Sequence, residues 1–422
     1  MVNGDKRGRA TWMLLATIFL VSANMRGTIT GVGSLLPDIA SETGYDETVL
    51  GVLTAIPMLT WGIVSPFVSA VANRFGLNPT MGWALVGLLA ATILRSLVLP
   101  GEAGLWVGTI IVGIALAVVN VLMPVATRRD FGPRASTVIS INTNMLVVVA
   151  ASASGFVVPL SEIPVGDGVL GWRLALMLTG VFAPFAIVFW FSTHRRDSHA
   201  PVAPTGATAV SHARRIWTDR IAWLLSWYMG LQAIQFFIIS SWLVKMEVSR
   251  GVSQTEGGLE VMVMQLVGMV ATIFLPLIRR APSLDRLLPF VMVIPGVIAA
   301  AGMLFAWQLD WVWIIVLAVT SGPCLAIPLI QIGERAKDTV TATALSGMVN
   351  SFGYLVSGLG PILFGWLHTV SGGWAAPQWF YLAVMVALLV VGWFLCRPGF
   401  VLEPRGAAPA ELSASGAGRS PR

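Results

Sequence analysis

Charge is what this chain has least of. Asp, Glu, Lys and Arg make up 11% of its 422 residues, against 56% apolar residues, whereas soluble domains carry about 25% charged residues. So little polar surface cannot keep a chain of this length in water, and the mean hydropathy of +0.80 points the same way. The chain reads as an integral membrane protein. Cysteine is nearly absent: Cys324 and Cys396 both fall in apolar runs, which leaves no disulfide framework and no cysteine-based metal site. There is no H-E-x-x-H, no G-x-S-x-G set with a His partner and no phosphate-cradling G-x-x-x-x-G-K-[ST]. An enzyme is therefore not expected, nor any cofactor. The rings of charge or repeated filter of a channel are missing as well.

What is present in quantity is apolar runs of spanning length. Twelve are read, at 11–36, 48–72, 80–99, 105–126, 136–160, 172–193, 221–244, 257–278, 287–307, 311–332, 339–368 and 375–396. Lys6, Arg7 and Arg9 precede the first run without a cleavage pattern after it, so it reads as an uncleaved helix. With the N-terminus inside, the outer loops hold only Arg95, Arg173, Lys245 and Arg250 of the 26 Lys and Arg, and Arg26 lies within a span. That asymmetry places both termini in the cytoplasm of a multi-pass plasma (inner) membrane protein. The net charge of +6 is then a topology signal, and no nucleic-acid partner is expected.

The domain reading is a cytoplasmic N-terminus at 1–10, a six-helix bundle at 11–193, a cytoplasmic linker at 194–220, a second six-helix bundle at 221–397 and a disordered cytoplasmic tail at 398–422. The linker is rich in Pro, Ala, Thr and Ser. Its His194, His199 and His212 read as solvated residues, with no metal site expected. The halves repeat: Ser140 precedes Asn144 by four, with Pro159 and Gly171-Trp172 further on, as Ser346 precedes Asn350, with Pro361 and Gly373-Trp374 further on. The fold class is thus an all-α membrane protein of twelve transmembrane helices in two pseudo-symmetric bundles, with a solute site expected at mid-depth between them.

Arg26 stands out within the first run. It lies roughly 22 Å from the inner end and roughly 15 Å from the outer end of that helix, too deep for its stem to bring the guanidinium to the headgroups. No carboxylate shares the run. A charge there costs about 3 kcal/mol on insertion scales, so Arg26 is expected to face a polar cavity and to hold something anionic or strongly dipolar. The other polar residues at mid-depth are Asn24, Asn142, Asn144, Gln232, Gln235, Gln265, Asn350 and Tyr354, with Trp61 a candidate aromatic wall. Any one amide could serve only to join helices. As a set from corresponding spans they are read, apart from Asn142, as lining one cavity with Arg26. Asp and Glu are missing at mid-depth, Glu260 lying about a turn inside the outer end of its span, so no proton relay is evident.

Several stretches resemble the major facilitator superfamily, and within it the cyanate / 2-nitroimidazole transporter family. They are R-G-T-I-T-G-V-G-S-L-L-P from Arg26 to Pro37, M-P-V-A-T-R-R-D-F from Met123 to Phe131, G-L-Q-A-I-Q-F-F-I-I-S-S-W-L from Gly230 to Leu243 and A-L-S-G-M-V-N-S-F-G-Y-L from Ala344 to Leu355. The family commonly has a glutamine where Asn350 stands and a prolyl pair where this chain has Val244-Lys245. The superfamily's acidic residue between the second and third spans is Asn73 here. The resemblance implies two bundles that rock about a central site in a secondary carrier of a small anionic or polar solute, cyanate-like or nitroimidazole-like, acting as a monomer in the lipid bilayer. A multidrug-type efflux carrier and a non-transporting receptor or scaffold are the alternatives.

Overall fold

The computed structural model describes residues 2–194 and 215–402. Twelve of its helices are long and apolar enough to cross a bilayer. In the first half they are Trp12–Ser34, Glu47–Phe75, Leu77–Leu94, Ala103–Arg134, Thr137–Ser161 and Gly171–Thr193; in the second, Arg220–Val248, Gln254–Ile278, Pro282–Phe305, Trp307–Arg335, Val340–Ser371 and Ala375–Leu395. Each overlaps one span read from the sequence. The face on which the sixth span ends and the seventh begins is called the linker side, and its opposite the far side.

Local chemistry sets the helix ends. Asp46 and Asp219 accept hydrogen bonds from the first free backbone N–H groups of the second and seventh spans, and Ser253 and Asp338 do the same for the eighth and eleventh. Two spans are broken where continuous helices were expected. The sixth is Gly171–Leu178 followed by Ala183–Thr193, and the ninth is Pro282–Val291 followed by Ile294–Phe305. In both, a proline (Pro184, Pro295) opens the second segment, where its missing N–H costs nothing.

Within the first half the first span packs on the fifth, and the second and third on the fourth; within the second half the seventh packs on the eleventh and twelfth, and the eighth and ninth on the tenth. The halves meet along the second and eleventh spans and along the fifth and eighth. These seams lie from mid-depth to the far side. Thr48 Oγ1 donates to Thr369 Oγ1 at 3.0 Å, and a Cβ on Gly51 would stand 2.6 Å from the Pro361 carbonyl oxygen. A Cβ on Gly258 would stand 2.8 Å from the Ser154 carbonyl oxygen, and Gln254 Nε2 donates to Ser34 O at 3.0 Å and to Asp38 Oδ2 at 2.8 Å. On the linker side of this region, Gly347 lies on the helical face of the eleventh span that carries Tyr354, and a Cβ on it would meet nothing within 4 Å. The bundles are shut on the far side and parted on the linker side.

The chain after the last span does not leave the fold at 398. Val401 is buried and donates its N–H to Arg335 O at 2.9 Å, and Leu402 N–H donates to Asp219 Oδ2 at 2.8 Å. The rest of the expected tail (403–422) and most of the expected linker (195–214) fall outside the described residues. His199 and His212 are among them, whereas His194 is described: its ring stacks on Trp190 at 4.0 Å between centroids and its Nε2 lies 2.8 Å from Asp130 Oδ2.

Candidate functional site between the two bundles

Arg26 lies where the sequence depth puts it, on the first span at the level where the closed far half gives way to the parted linker half. It is half-buried. Its Cζ sits 5.4 Å from the centroid of the Phe236 ring on the seventh span, within cation–π range. The Tyr354 phenol of the eleventh span is within electrostatic reach of it. Tyr354 in turn meets Trp61 of the second span edge to face, with centroids 5.0 Å apart at 84°. Trp61 is buried and its Nε1 has no partner. Four spans, two from each half, thus converge on one guanidinium and three aromatic rings. Among the described residues no carboxylate forms an ion pair with Arg26, so its donors remain available to an acceptor that enters the gap.

The amides are distributed differently from the ring expected around Arg26. Gln232 stands one turn from Phe236 on the same helical face, its Nε2 3.3 Å from Met229 Sδ. Asn350 stands one turn from Tyr354 but bonds its own helix, Nδ2 donating to Ser346 O at 2.9 Å. Gln235 is turned to Tyr381 on the twelfth span, and both its side-chain atoms are buried without a hydrogen bond. Gln265 donates to Ser154 Oγ at 3.2 Å and so ties the eighth span to the fifth. Asn24, two residues from Arg26 and therefore on the opposite face, is fully buried in the first bundle and donates to Leu20 O at 2.7 Å. Asn142 accepts from Ser22, while Asn144 is exposed on a row with Ile141, Met145 and Val148. Helix rotation decides these outcomes. Gln235, Gln265, Asn24 and Asn142 serve helix contacts, and Asn144 and Asn350, though matched in the repeat, do not occupy matched environments.

Three features escaped the sequence reading. Phe236, between two conspicuous glutamines, is the residue that meets Arg26. Arg95, placed in an outer loop from sequence, is 1% exposed. It reaches back into the first bundle, Nη1 donating to Thr28 O at 2.8 Å and Nη2 to Thr179 Oγ1 at 3.4 Å, and no carboxylate pairs with it among the described residues. A long side chain at a helix end can turn inward as readily as outward, and only packing decides. Finally, Glu47 of the second span holds Lys245 of the seventh at 3.1 Å and lies 3.5 Å from His368 Nδ1 of the eleventh. Close by, burial pushes the Asp38 carboxyl above the usual carboxylate range, an effect the Gln254 hydrogen bond partly offsets.

Twelve spans in two bundles, closed on one side around a mid-depth polar point, define a carrier of small solutes. The chain belongs to the Major Facilitator Superfamily, whose family model matches residues 14–358. It is 30% identical over 370 residues to the 2-nitroimidazole transporter of Escherichia coli (strain K12), covering 88% of this chain and 92% of that one. It is 23% identical over 381 residues to the cyanate transport protein CynX of the same organism, covering 90% of this chain and 96% of that one. Among solved structures, a bacterial homologue of the human lysosomal transporter Spinster superposes with a TM-score of 0.74 at 17% identity, covering 92% of this chain and 96% of the other.

Proposed function

We propose that the chain carries a small anionic or strongly dipolar solute by alternating access, with Arg26 as the main solute ligand and Phe236, Tyr354 and Trp61 as its aromatic surround. The single observation that carries this reading is the Arg26 guanidinium, set between the bundles beside Phe236 with no carboxylate to neutralise it. A planar cationic fork offers directed hydrogen bonds to a cyanate-like anion and a stacking face to a nitroimidazole-like ring. Arg95, also without a carboxylate, adds a second positive charge to the same bundle. The far side being shut and the linker side parted fits an inward-open state, given the cytoplasmic placement of the linker by its basic residues.

Uptake of labelled cyanate and of a 2-nitroimidazole into proteoliposomes, measured beside folded yield, tests the reading. Arg26→Ala loses a charge-assisted hydrogen bond of about 1.5–3 kcal/mol, so half-saturation rises about 10- to 100-fold. Arg26→Lys keeps the charge without the fork and falls in between. Transport by Arg26→Ala equal to that of the parent would remove the ligand assignment. Direction is read from a deletion strain: sensitisation to these compounds indicates export, resistance import.

A further inference from the structure

The second bundle holds a cavity of about 390 Å³ that takes no part in the Arg26 site. It lies among the linker-side ends of the eighth, ninth, tenth and twelfth spans. Leu275, Leu288 and Ile327 line it toward mid-depth, and Arg279, Arg286, Arg335 and Arg397 nearer the span ends.

Four guanidiniums meet two carboxylates in this lining, and one arginine takes both. Arg279 Nε lies 2.6 Å from Asp285 Oδ1, and its Nη2 holds Glu334. Glu334 is within electrostatic reach of Arg335 as well, but among the described residues Arg286, Arg335 and Arg397 form no ion pair. Capping accounts for part of their role. Arg286 Nε donates to Cys396 O at 3.1 Å and Arg335 Nη2 donates to Leu395 O, closing the carbonyl end of the twelfth span. That engages one nitrogen of each. Their other donors, and those of Arg397, meet no protein acceptor among the described residues. Three like charges gathered at one cavity repel unless an anion joins them. A phosphate suits the set, because guanidiniums bind it by paired, charge-assisted hydrogen bonds.

The rest of the lining narrows the ligand. Gln331 Oε1 is buried in the lining without a donor, and a hydroxyl on the ligand would supply one. The volume is that of an organic ligand rather than of a lone phosphate, and the apolar floor suits carbon. The wall formed by residues 397–400 is fixed on the bundle, since Val401 N–H donates to Arg335 O and Leu402 N–H to Asp219 Oδ2. Span ends of this kind lie level with the lipid headgroups, where basic pockets between helices take acidic ones.

We propose that this cavity binds a glycerophosphate group, its phosphate on Arg286, Arg335 and Arg397, its free hydroxyl on Gln331 and its carbons against Leu288 and Ile327. Two sources present that chemistry: the headgroup of phosphatidylglycerol in the adjoining leaflet, and a soluble glycerol phosphate. The proposal uses the twelve-span fold but neither Arg26 nor transport.

Native mass spectrometry of the delipidated full chain in neutral detergent tests it. The probes are phosphatidylglycerol, phosphatidylethanol, phosphatidylcholine and sn-glycerol 1-phosphate. Phosphatidylglycerol binds at one saturable site and phosphatidylcholine does not. Arg286→Gln and Arg397→Gln each weaken that binding about 10-fold. Arg280→Gln, exposed at the same end of the eighth span but outside the lining, leaves it unchanged. Gln331→Leu removes the preference for phosphatidylglycerol over phosphatidylethanol, whose headgroup has no hydroxyl. Arg397 makes no side-chain hydrogen bond within the fold, so Arg397→Gln melts like the parent when no lipid is added, and its loss of binding is not a loss of folding. Binding of the lipid assigns the source to the membrane, and binding of sn-glycerol 1-phosphate alone assigns it to solution. Binding of neither, or binding that Arg397→Gln and Arg280→Gln weaken equally, would overturn the proposal.

Discussion

Lys245 Nζ lies 3.1 Å from Glu47 Oε1, an ion pair between the first half of the chain and the second. His368 approaches the other oxygen of the same carboxylate from a further span of the second half. One residue at the start of the second span is thus held by two helices of the opposite bundle, on the side where the bundles are shut.

Removing that pair shifts the balance of states. A partly exposed ion pair contributes about 0.5–1 kcal/mol, so Lys245→Met raises the ratio of far-open to far-closed molecules about 2- to 5-fold. Distance distributions between the far ends of the second and eleventh spans check this. No change on substitution would show that the pair is incidental to closure.

Glycines separate fold from motion. A Cβ on Gly33 collides with the Ser240 backbone of the other bundle, and one on Gly392 collides with Pro289 of its own bundle. Gly392→Ala is therefore expected to lower the melting temperature, overpacking costing about 1–3 kcal/mol. Gly33→Ala is expected to leave melting nearly unchanged while disfavouring the far-closed state and slowing uptake. Equal loss of melting temperature in both variants would contradict the distinction.

Phe236→Leu keeps bulk but removes the ring face beside Arg26. Cation–π contacts are worth about 0.5–2 kcal/mol, so solute half-saturation is expected to rise about 2- to 30-fold with folded yield intact. Proteoliposome uptake across a solute series measures it.

Arg95 grips two partners with separate nitrogens, Thr28 O and Thr179 Oγ1. A lysine ammonium cannot reproduce that fork. Arg95→Lys is expected to destabilise the first bundle by about 1–3 kcal/mol through the buried charge-assisted hydrogen bonds it loses, read as a lower midpoint in detergent melts.

Asp38 supplies a pH dependence outside the spans. Its carboxyl is held above the ordinary range, so the folded chain binds that proton more tightly than the unfolded one. The resulting stability is fully present below the ordinary carboxylate range and is lost as pH rises through the raised value. The melting temperature of the parent minus that of Asp38→Asn is expected to fall across that window, and a flat difference would refute the assignment.

The spans were legible because length and hydropathy act one residue at a time. The depth of Arg26 was legible for the same reason. Rotation about the helix axis was not: Phe236 and Gln235 are neighbours in sequence, yet one faces Arg26 and the other Tyr381. Nor could depth alone reveal that Arg95 turns inward, since its partners are a backbone carbonyl and a threonine, which carry no charge pattern to search for. Glu47, Lys245 and His368 are legible as span-end residues, but their meeting depends on which bundle face opposes which. The breaks in the sixth and ninth spans have Pro184 and Pro295 as their only sequence mark, and the apolar runs continue through both.

At four points on the far side the two halves touch where a side chain is missing, glycine against the other half's main chain, at Gly33, Gly51, Gly258 and Gly365. Where backbone meets backbone there is nothing to thread. At these four positions closing freezes no glycine rotamer, since glycine has none to lose; the ordered side chains of the joint are the few polar ones, such as Lys245, Glu47 and Gln254. The speed of the seal is therefore expected to follow how fast water enters and leaves a narrow gap, not how fast a packed interface can find its fit again.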